Sequence, residues 1–205
     1  ITQYYPTLIV SLGADTYDFV RVMTEYTVAL KDDILNRKPN ELGLAKVVWR
    51  PDSGNPVRIV VGDVFEDFSE AESLDKAKRW AKDVFVDKVR SDTPHGERGD
   101  DEIEEIFKYQ NTYYKIKIEI EWNRYDKQYY YIDGQEITSC EETTLSPEQK
   151  GAVECLWEVF GGKISEKGFK VLNERTGLIY GDGMTQKVMF DILSGLKKKG
   201  FASNN

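Results

Sequence analysis

Three short stretches place small residues and carboxylates where they could do chemistry. They are Ser11-Leu12-Gly13-Ala14-Asp15, Arg50-Pro51-Asp52-Ser53-Gly54 and Gly181-Asp182-Gly183. Each follows a short apolar run and precedes a helical pattern, the position at which α/β folds bind ligands. Carboxylates accept hydrogen bonds from vicinal hydroxyls, and a guanidinium grips phosphate in a fork. Glycines let a ligand approach the backbone. Two carboxylates and an arginine on adjacent strand ends therefore suit a sugar phosphate. Helix capping is the plainer use of Asp15, Ser53 and Asp182. Arg50, between an apolar run and a proline, is harder to read as a cap.

The elements that must position these residues follow from periodicity. Thr7 to Val10 and Ala45 to Trp49 read as strands buried on both faces, as does Gly177 to Tyr180. After the first, Asp15 or Thr16 can cap a helix in which Phe19, Val22, Met23 and Tyr26 recur at helical spacing. After the second, Asn55 caps and Pro56 opens a short helix that Gly62 ends. Ser146-Pro147-Glu148-Gln149 is a capping box, leading into a helix with Val153, Leu156, Trp157 and Phe160 on one stripe. Lys170 and its neighbours from Phe169 to Leu172 suggest a short strand, and Thr185 caps a last helix ended by Gly200.

The rhythm breaks between residues 63 and 144. Asp63 to Arg90 reads as an acidic amphipathic helix, and Asp101 to Phe107 as a short helix. Tyr114, Ile116, Ile118, Ile120 and Trp122 then alternate with charged residues, so one strand face is buried and one wet. Gln128 to Ile132 returns as a hairpin, and Glu136 to Cys140 is a third strand. The predicted architecture is α/β: part of a (β/α) barrel with parallel strands over 1–62 and 145–205, interrupted by an α+β insertion over 63–144 that contains an antiparallel hairpin.

Composition narrows the function classes. The chain has 205 residues with a formal net charge of −8. That charge argues against nonspecific nucleic-acid binding. No apolar run is long enough to span a membrane. Cys140 and Cys155 do not frame a disulfide-rich fold, and no Cys/His cluster has zinc spacing, so no protein-held metal is expected. His95 lies in a polar, turn-like stretch rather than a catalytic constellation.

The seven residues Arg50 to Pro56 resemble the signature loop of nicotinamide phosphoribosyltransferases. Ser11 to Asp18 is similar to the preceding strand end of that family, usually Ser-Val-Val-Ser-Asp-x-Tyr-Asp, with Leu-Gly-Ala here in place of Val-Val-Ser. Tyr180-Gly181-Asp182-Gly183 resembles its later Gly-Asp-Gly loop. The resemblance covers roughly 1–62 and 145–205. Pro51 and the Asn55-Pro56 pair favour the nicotinamide over the nicotinate branch.

The resemblance implies a pentosyltransferase of NAD biosynthesis. Nicotinamide attacks C1 of phosphoribosyl pyrophosphate, releasing pyrophosphate and giving nicotinamide mononucleotide. Ser11 would bond the carboxamide, and Arg50 would lie against the ring and the phosphates. Asp52, with Gly181 and Asp182, would hold the ribose hydroxyls, with Ser53 beside them. Asp15 would support the site. Asp15, Arg50 and Asp52 are thus the expected catalytic residues. Magnesium would offset pyrophosphate charge, and coupled ATP hydrolysis is an option. A cytoplasmic, homodimeric complete enzyme is expected, with this chain an internal piece of its barrel, inactive alone.

Two alternatives stand beside this reading. One is a nicotinate phosphoribosyltransferase. The other is a non-enzymatic interaction module acting through the tyrosine-rich hairpin of Tyr113, Tyr114, Tyr125 and Tyr129 to Tyr131, since aromatic clusters are enriched at interfaces.

Overall fold

The computed structural model describes residues 4–14, 18–51, 54–92, 102–123, 125, 128–131, 137–181 and 183–203. In chain order the strands are β1 (Val10–Ala14), β2 (Val47–Pro51), β3 (Glu66–Asp67), β4 (Glu102–Tyr109), β5 (Thr112–Asn123), β6 (Gln128–Tyr131), β7 (Ile137–Thr143), β8 (Gly162–Ile164), β9 (Lys170–Leu172) and β10 (Thr176–Leu178). The helices are α1 (Phe19–Arg21), α2 (Thr27–Ala29), α3 (Lys31–Leu35), α4 (Pro56–Val61), α5 (Leu74–Asp92), α6 (Pro147–Lys150), α7 (Ala152–Phe160) and α8 (Gln186–Lys198). A π-helical turn, Val22–Tyr26, joins α1 to α2. The chain divides into two compact units, Ile1–Val64 with Leu145–Asn205, and Phe65–Thr144. Among the described residues no helix is long and apolar enough to cross a membrane.

The first unit is built on a parallel sheet in the order β1-β2-β10. Alternate residues of β2 divide between its faces. Val47 and Trp49 are buried, and Arg50 is exposed on the opposite side. The buried side packs on Met23, Ile34, Val60 and Val61, and on Leu156, Phe160, Ile192 and Leu196. Helices thus cover one face of the sheet. At the far end of α8, the nearly buried Lys199 ammonium donates to the carbonyls of Gln149 and Lys150 and to the Glu154 carboxylate at 3.0 Å.

Local capping came out as the sequence predicts. Asn55 Oδ1 accepts from the amides of Val57 and Arg58, Ser146 and Gln149 form the reciprocal box, and Thr185 caps α8. Three expectations are corrected. The first strand begins at Val10, not Thr7, and Ser11 to Ala14 lie within it rather than in a turn. Leu8 adopts φ 70°, where no strand continues, while Val10–Ala14 pairs in register with Val47–Pro51. The expected single helix after β1 is broken by the π-turn and again at Leu30, and Asp18 caps its start by accepting from the Arg21 amide. The helix expected from Ser146 splits at Gly151, whose φ is 76°.

Gly151 is pressed against Gly62. A Cβ on Gly62 would lie 2.3 Å from the Gln149 carbonyl oxygen, and one on Gly151 would lie 2.3 Å from the Gly62 nitrogen. Both glycines have positive φ, so each is required twice over, for conformation and for space. The Asp63 amide donates to the Gln149 carbonyl at 2.9 Å, clipping together the places where the chain leaves and re-enters this unit.

The second unit packs α5 on a mostly antiparallel sheet, in which the two-residue β3 pairs with β4 in parallel. β5 is its centre, with β4 on one side; β7 pairs with Tyr113–Ile118 and β6 with Ile120–Asn123 on the other. Ile116, Ile118 and Ile120 are essentially buried and meet Ala77, Ala81, Phe85, Val86 and Phe107. Burying each such large side chain contributes about 1.5–3 kcal/mol. The opposite face carries Lys115 and Lys117 paired with Glu104 and Glu102, a solvated ladder.

Two readings change here. Residues 102–109 form a strand, not the expected short helix, because they pair in an antiparallel ladder with Thr112–Glu119 of β5, which turns Ile103 and Phe107 into the core. The third strand returns to β5 rather than following β6. Tyr114 stacks on Phe107, and Trp122 packs against the same core. Those two aromatics therefore serve the local core; the side chains of Tyr129 to Tyr131 lie outside the described residues.

Candidate active site at the carboxyl ends of the parallel strands

Parallel register puts the three chemical stretches at one sheet edge. Gly13 of β1 lies opposite Arg50 of β2, and Ala14 opposite Pro51. Neighbouring strands are about 4.8 Å apart, so a ligand on Arg50 also meets the bare backbone of Gly13. Ser11 lies opposite Val48, two residues down the strand and on the face that carries Arg50. On the other side of β2, Leu178 pairs with Trp49, and the Ile179 amide continues the ladder to the Trp49 carbonyl at 3.0 Å. Gly181 follows two residues later.

Arg50 is an exposed cation whose side chain has no hydrogen bond or ion pair among the described residues. A guanidinium left without a carboxylate is available for an anionic ligand. The stretch behind it is held at its far end. Gly54 takes φ 104°, and Asn55 caps α4 with Pro56 in the first turn. The Tyr180 hydroxyl donates to the Gly54 carbonyl at 3.2 Å, tying the β10 exit to the arginine stretch. Tyr180 was not among the residues expected here; an aromatic directly before Gly-Asp-Gly was the available signal. Arg50 and Gly181 are therefore placed at neighbouring strand exits, with Ser11 further down β1 on the face that carries Arg50. Asp15, Asp52, Ser53 and Asp182 lie outside the described residues.

A cavity of about 590 Å³ adjoins the same stretch. Gly54 and Asn55 form part of its wall, Phe19, Met23 and Ile59 its apolar lining, and Arg58 and Glu148 contribute charge. The Ser146 side chain, and then the backbone amide of Glu148 itself, hold the Glu148 carboxyl below the usual range. Cys155 also lines the cavity, but burial pushes its thiol up to about 11, so it is protonated near neutral pH and is no nucleophile. Among the described residues no group of three His, Cys, Asp or Glu could hold a metal ion.

No protein-family model matches the chain. Among curated proteins it is similar to a nicotinamide phosphoribosyltransferase of Acinetobacter baylyi, with 37% identity over 205 residues. That covers the whole chain and 26% of the relative. A nicotinamide phosphoribosyltransferase of Mycoplasma pneumoniae is 40% identical over 73 residues, 34% of the chain and 16% of the relative. Its counterpart in Mycoplasma genitalium is 48% identical over 46 residues, 22% of the chain and 10% of the relative. The resemblance read from Arg50 to Pro56 is borne out: the chain is similar along its whole length to one nicotinamide phosphoribosyltransferase, of which it spans about a quarter, and over shorter stretches to two others.

Proposed function

We propose that this chain supplies part of the active site of a nicotinamide phosphoribosyltransferase. The observation that carries the reading is Arg50, exposed and unpaired among the described residues at the carboxyl end of the central parallel strand, beside the bare backbone of Gly13. In the reaction, the pyridine nitrogen forms a bond to C1 of phosphoribosyl pyrophosphate. The C1–O bond to pyrophosphate breaks, and pyrophosphate leaves with the bonding pair. The transition state carries positive charge on the ribose, so positioning and electrostatics supply most of the acceleration.

Arg50 binds phosphate oxygens and lies against the nicotinamide ring. Ser11, on the same sheet face, bonds the carboxamide. Asp52, Gly181 and Asp182 hold ribose hydroxyls, Ser53 adds a donor, and Asp15 supports the site. The sheet face opposite the helices, with Ser11, Gly13, Val48 and Arg50, lines the interior of a (β/α) barrel completed by further strands. Magnesium bound with pyrophosphate would offset its negative charge, with coupled ATP hydrolysis as an option. The complete enzyme is a cytoplasmic homodimer.

The test is nicotinamide mononucleotide formation by the complete enzyme. Arg50→Ala is expected to lower kcat/KM by ~10²-fold or more, the loss typical of one positioned charge-stabilising group. Arg50→Lys recovers little, because an ammonium cannot form the fork. Near-normal turnover by Arg50→Ala overturns the assignment. The 205-residue chain alone is expected to give no product.

A further inference from the structure

Glycine inside a strand marks a bulge, a bend, another backbone close by, or the approach of a ligand. Gly13 has none of the first three. β1 pairs with β2 without a register shift over Val10–Ala14, and Gly13 is not among the glycines with positive φ. A Cβ built on it would meet no atom of the described residues within 4 Å, its chain neighbours aside. Other glycines of this unit differ. A Cβ on Gly162 would lie 2.0 Å from the Val171 carbonyl oxygen, and one on Gly195 would lie 2.7 Å from the Val61 side chain. Packing requires those two, and no packing requires Gly13.

The register shows what a side chain there would face. Leu12 and Trp49 pair and turn towards the helix-packed core, so Gly13 and Arg50 pair on the opposite face. Ser11 shares that face, two residues and about 6.6 Å down β1. On the far side of β2, the Ile179 amide donates to the Trp49 carbonyl, which sets Ile179 level with Arg50. Arg50 therefore has an aliphatic residue beside it on the β10 side and open space on the β1 side. Backbone N–H and C=O groups of a sheet point in its plane towards neighbouring strands. The surface over Gly13 is thus a bare Cα, which suits hydrocarbon better than phosphate. The resembled strand end usually carries valine where this chain has Gly13.

We infer that Gly13 determines which bases the transferase accepts, leaving room beside Arg50 for a methyl-sized group on the ring of a nicotinamide held at Ser11. The inference rests on the transferase reading and widens its substrate class to ring-alkylated pyridine carboxamides. The bonds made and broken are those of the parent reaction: the ring nitrogen bonds to C1 of phosphoribosyl pyrophosphate, and pyrophosphate leaves with the electron pair. The substituent only fills space.

The experiment compares nicotinamide with nicotinamides methylated at C4 or C5, the free ring carbons not adjacent to the reacting nitrogen, as substrates of the complete enzyme. The unaltered enzyme is expected to convert at least one methylated base with kcat/KM within about tenfold of nicotinamide, because its pocket has the room. Gly13→Val places two methyl groups in that space on a side chain that suits a strand. It is expected to lower the ratio of kcat/KM for that base to kcat/KM for nicotinamide by about tenfold or more. Gly13→Ala lowers the ratio less, and decides the matter if Gly13→Val yields no active enzyme. A merely structural role lowers turnover of all bases alike, so an unchanged ratio overturns the inference. Nicotinamide turnover with neither methylated base converted also overturns it. No turnover of nicotinamide by the unaltered enzyme overturns the transferase reading itself, and this inference with it.

Discussion

The Tyr180 hydroxyl donates a hydrogen bond to the Gly54 carbonyl at 3.2 Å, joining residues 126 positions apart in sequence. It links the exit of β10 to the stretch that follows Arg50, so two of the three candidate site loops are held to each other by one side chain. Gly54 sits at φ 104°, a conformation open to glycine.

That hold can be measured. Tyr180→Phe keeps the ring and removes the donor. A neutral hydrogen bond contributes about 0.5–1.5 kcal/mol, which corresponds to a roughly 2- to 12-fold fall in kcat/KM if it all appears in the transition state. Mononucleotide formation by the complete enzyme is the readout. Unchanged kinetics would show that the bond is irrelevant to the site.

Gly62→Ala should destabilise the first unit severely. A methyl group there meets the backbone of residues 149–151 at 2.3–2.6 Å, and φ is 73°. Left-handed backbone costs about 1–2 kcal/mol, and overpacking typically costs 1–3 more. A loss of ~2–5 kcal/mol is expected in urea unfolding. A loss below ~1 kcal/mol would mean that the two backbones separate easily.

Arg37 offers a second stability test. The residue is 4% exposed, and its guanidinium donates to the carbonyls of Tyr5, Thr7, Leu8 and Ala45. Burial, with the nearby Arg175 charge as a smaller cause, lowers its pKa. Arg37→Met leaves these acceptors without that donor and should cost about 2–4 kcal/mol. Hydrogen exchange at the Leu8 and Val10 amides should speed up first, because their segment loses its anchor. Unaltered exchange there would refute this role.

Cys155 gives a pH prediction. Burial, the largest cause, raises its thiol to about 11 in the folded protein, against about 8.5 for an exposed thiol. The folded state therefore favours the neutral form. Its contribution to stability is fully present below the unfolded pKa and is lost as pH rises from there towards the folded value. Cys155→Ser should flatten stability between about pH 8.5 and 11. At pH 8 the native Cys155 thiol should react with a disulfide reagent far more slowly than the unfolded one. Equal rates would show that it is accessible and ionisable.

The caps and stops were legible because they are local. Asn55 with Pro56, the Ser146–Gln149 box and Thr185 each satisfy amides within three residues of themselves, so short-range sequence suffices to find them. The Arg50 to Pro56 loop was legible for the same reason, and the period-two pattern of 114–122 marked β5. What the sequence alone left undecided depended on partners far along the chain. Residues 102–109 have helical composition, yet they extend because β5 offers a hydrogen-bonded edge and α5 an apolar surface for Ile103 and Phe107. Ser11 to Ala14 carry turn residues, yet they pair with Val48 to Pro51 in β2. Gly62 looks like an ordinary helix stop and Gly151 falls inside a predicted helix; only tertiary structure brings their backbones into contact and makes both indispensable. Local hydrogen bonding thus wrote the element ends into the sequence, while long-range pairing and burial decided which stretches became strands and which residues meet.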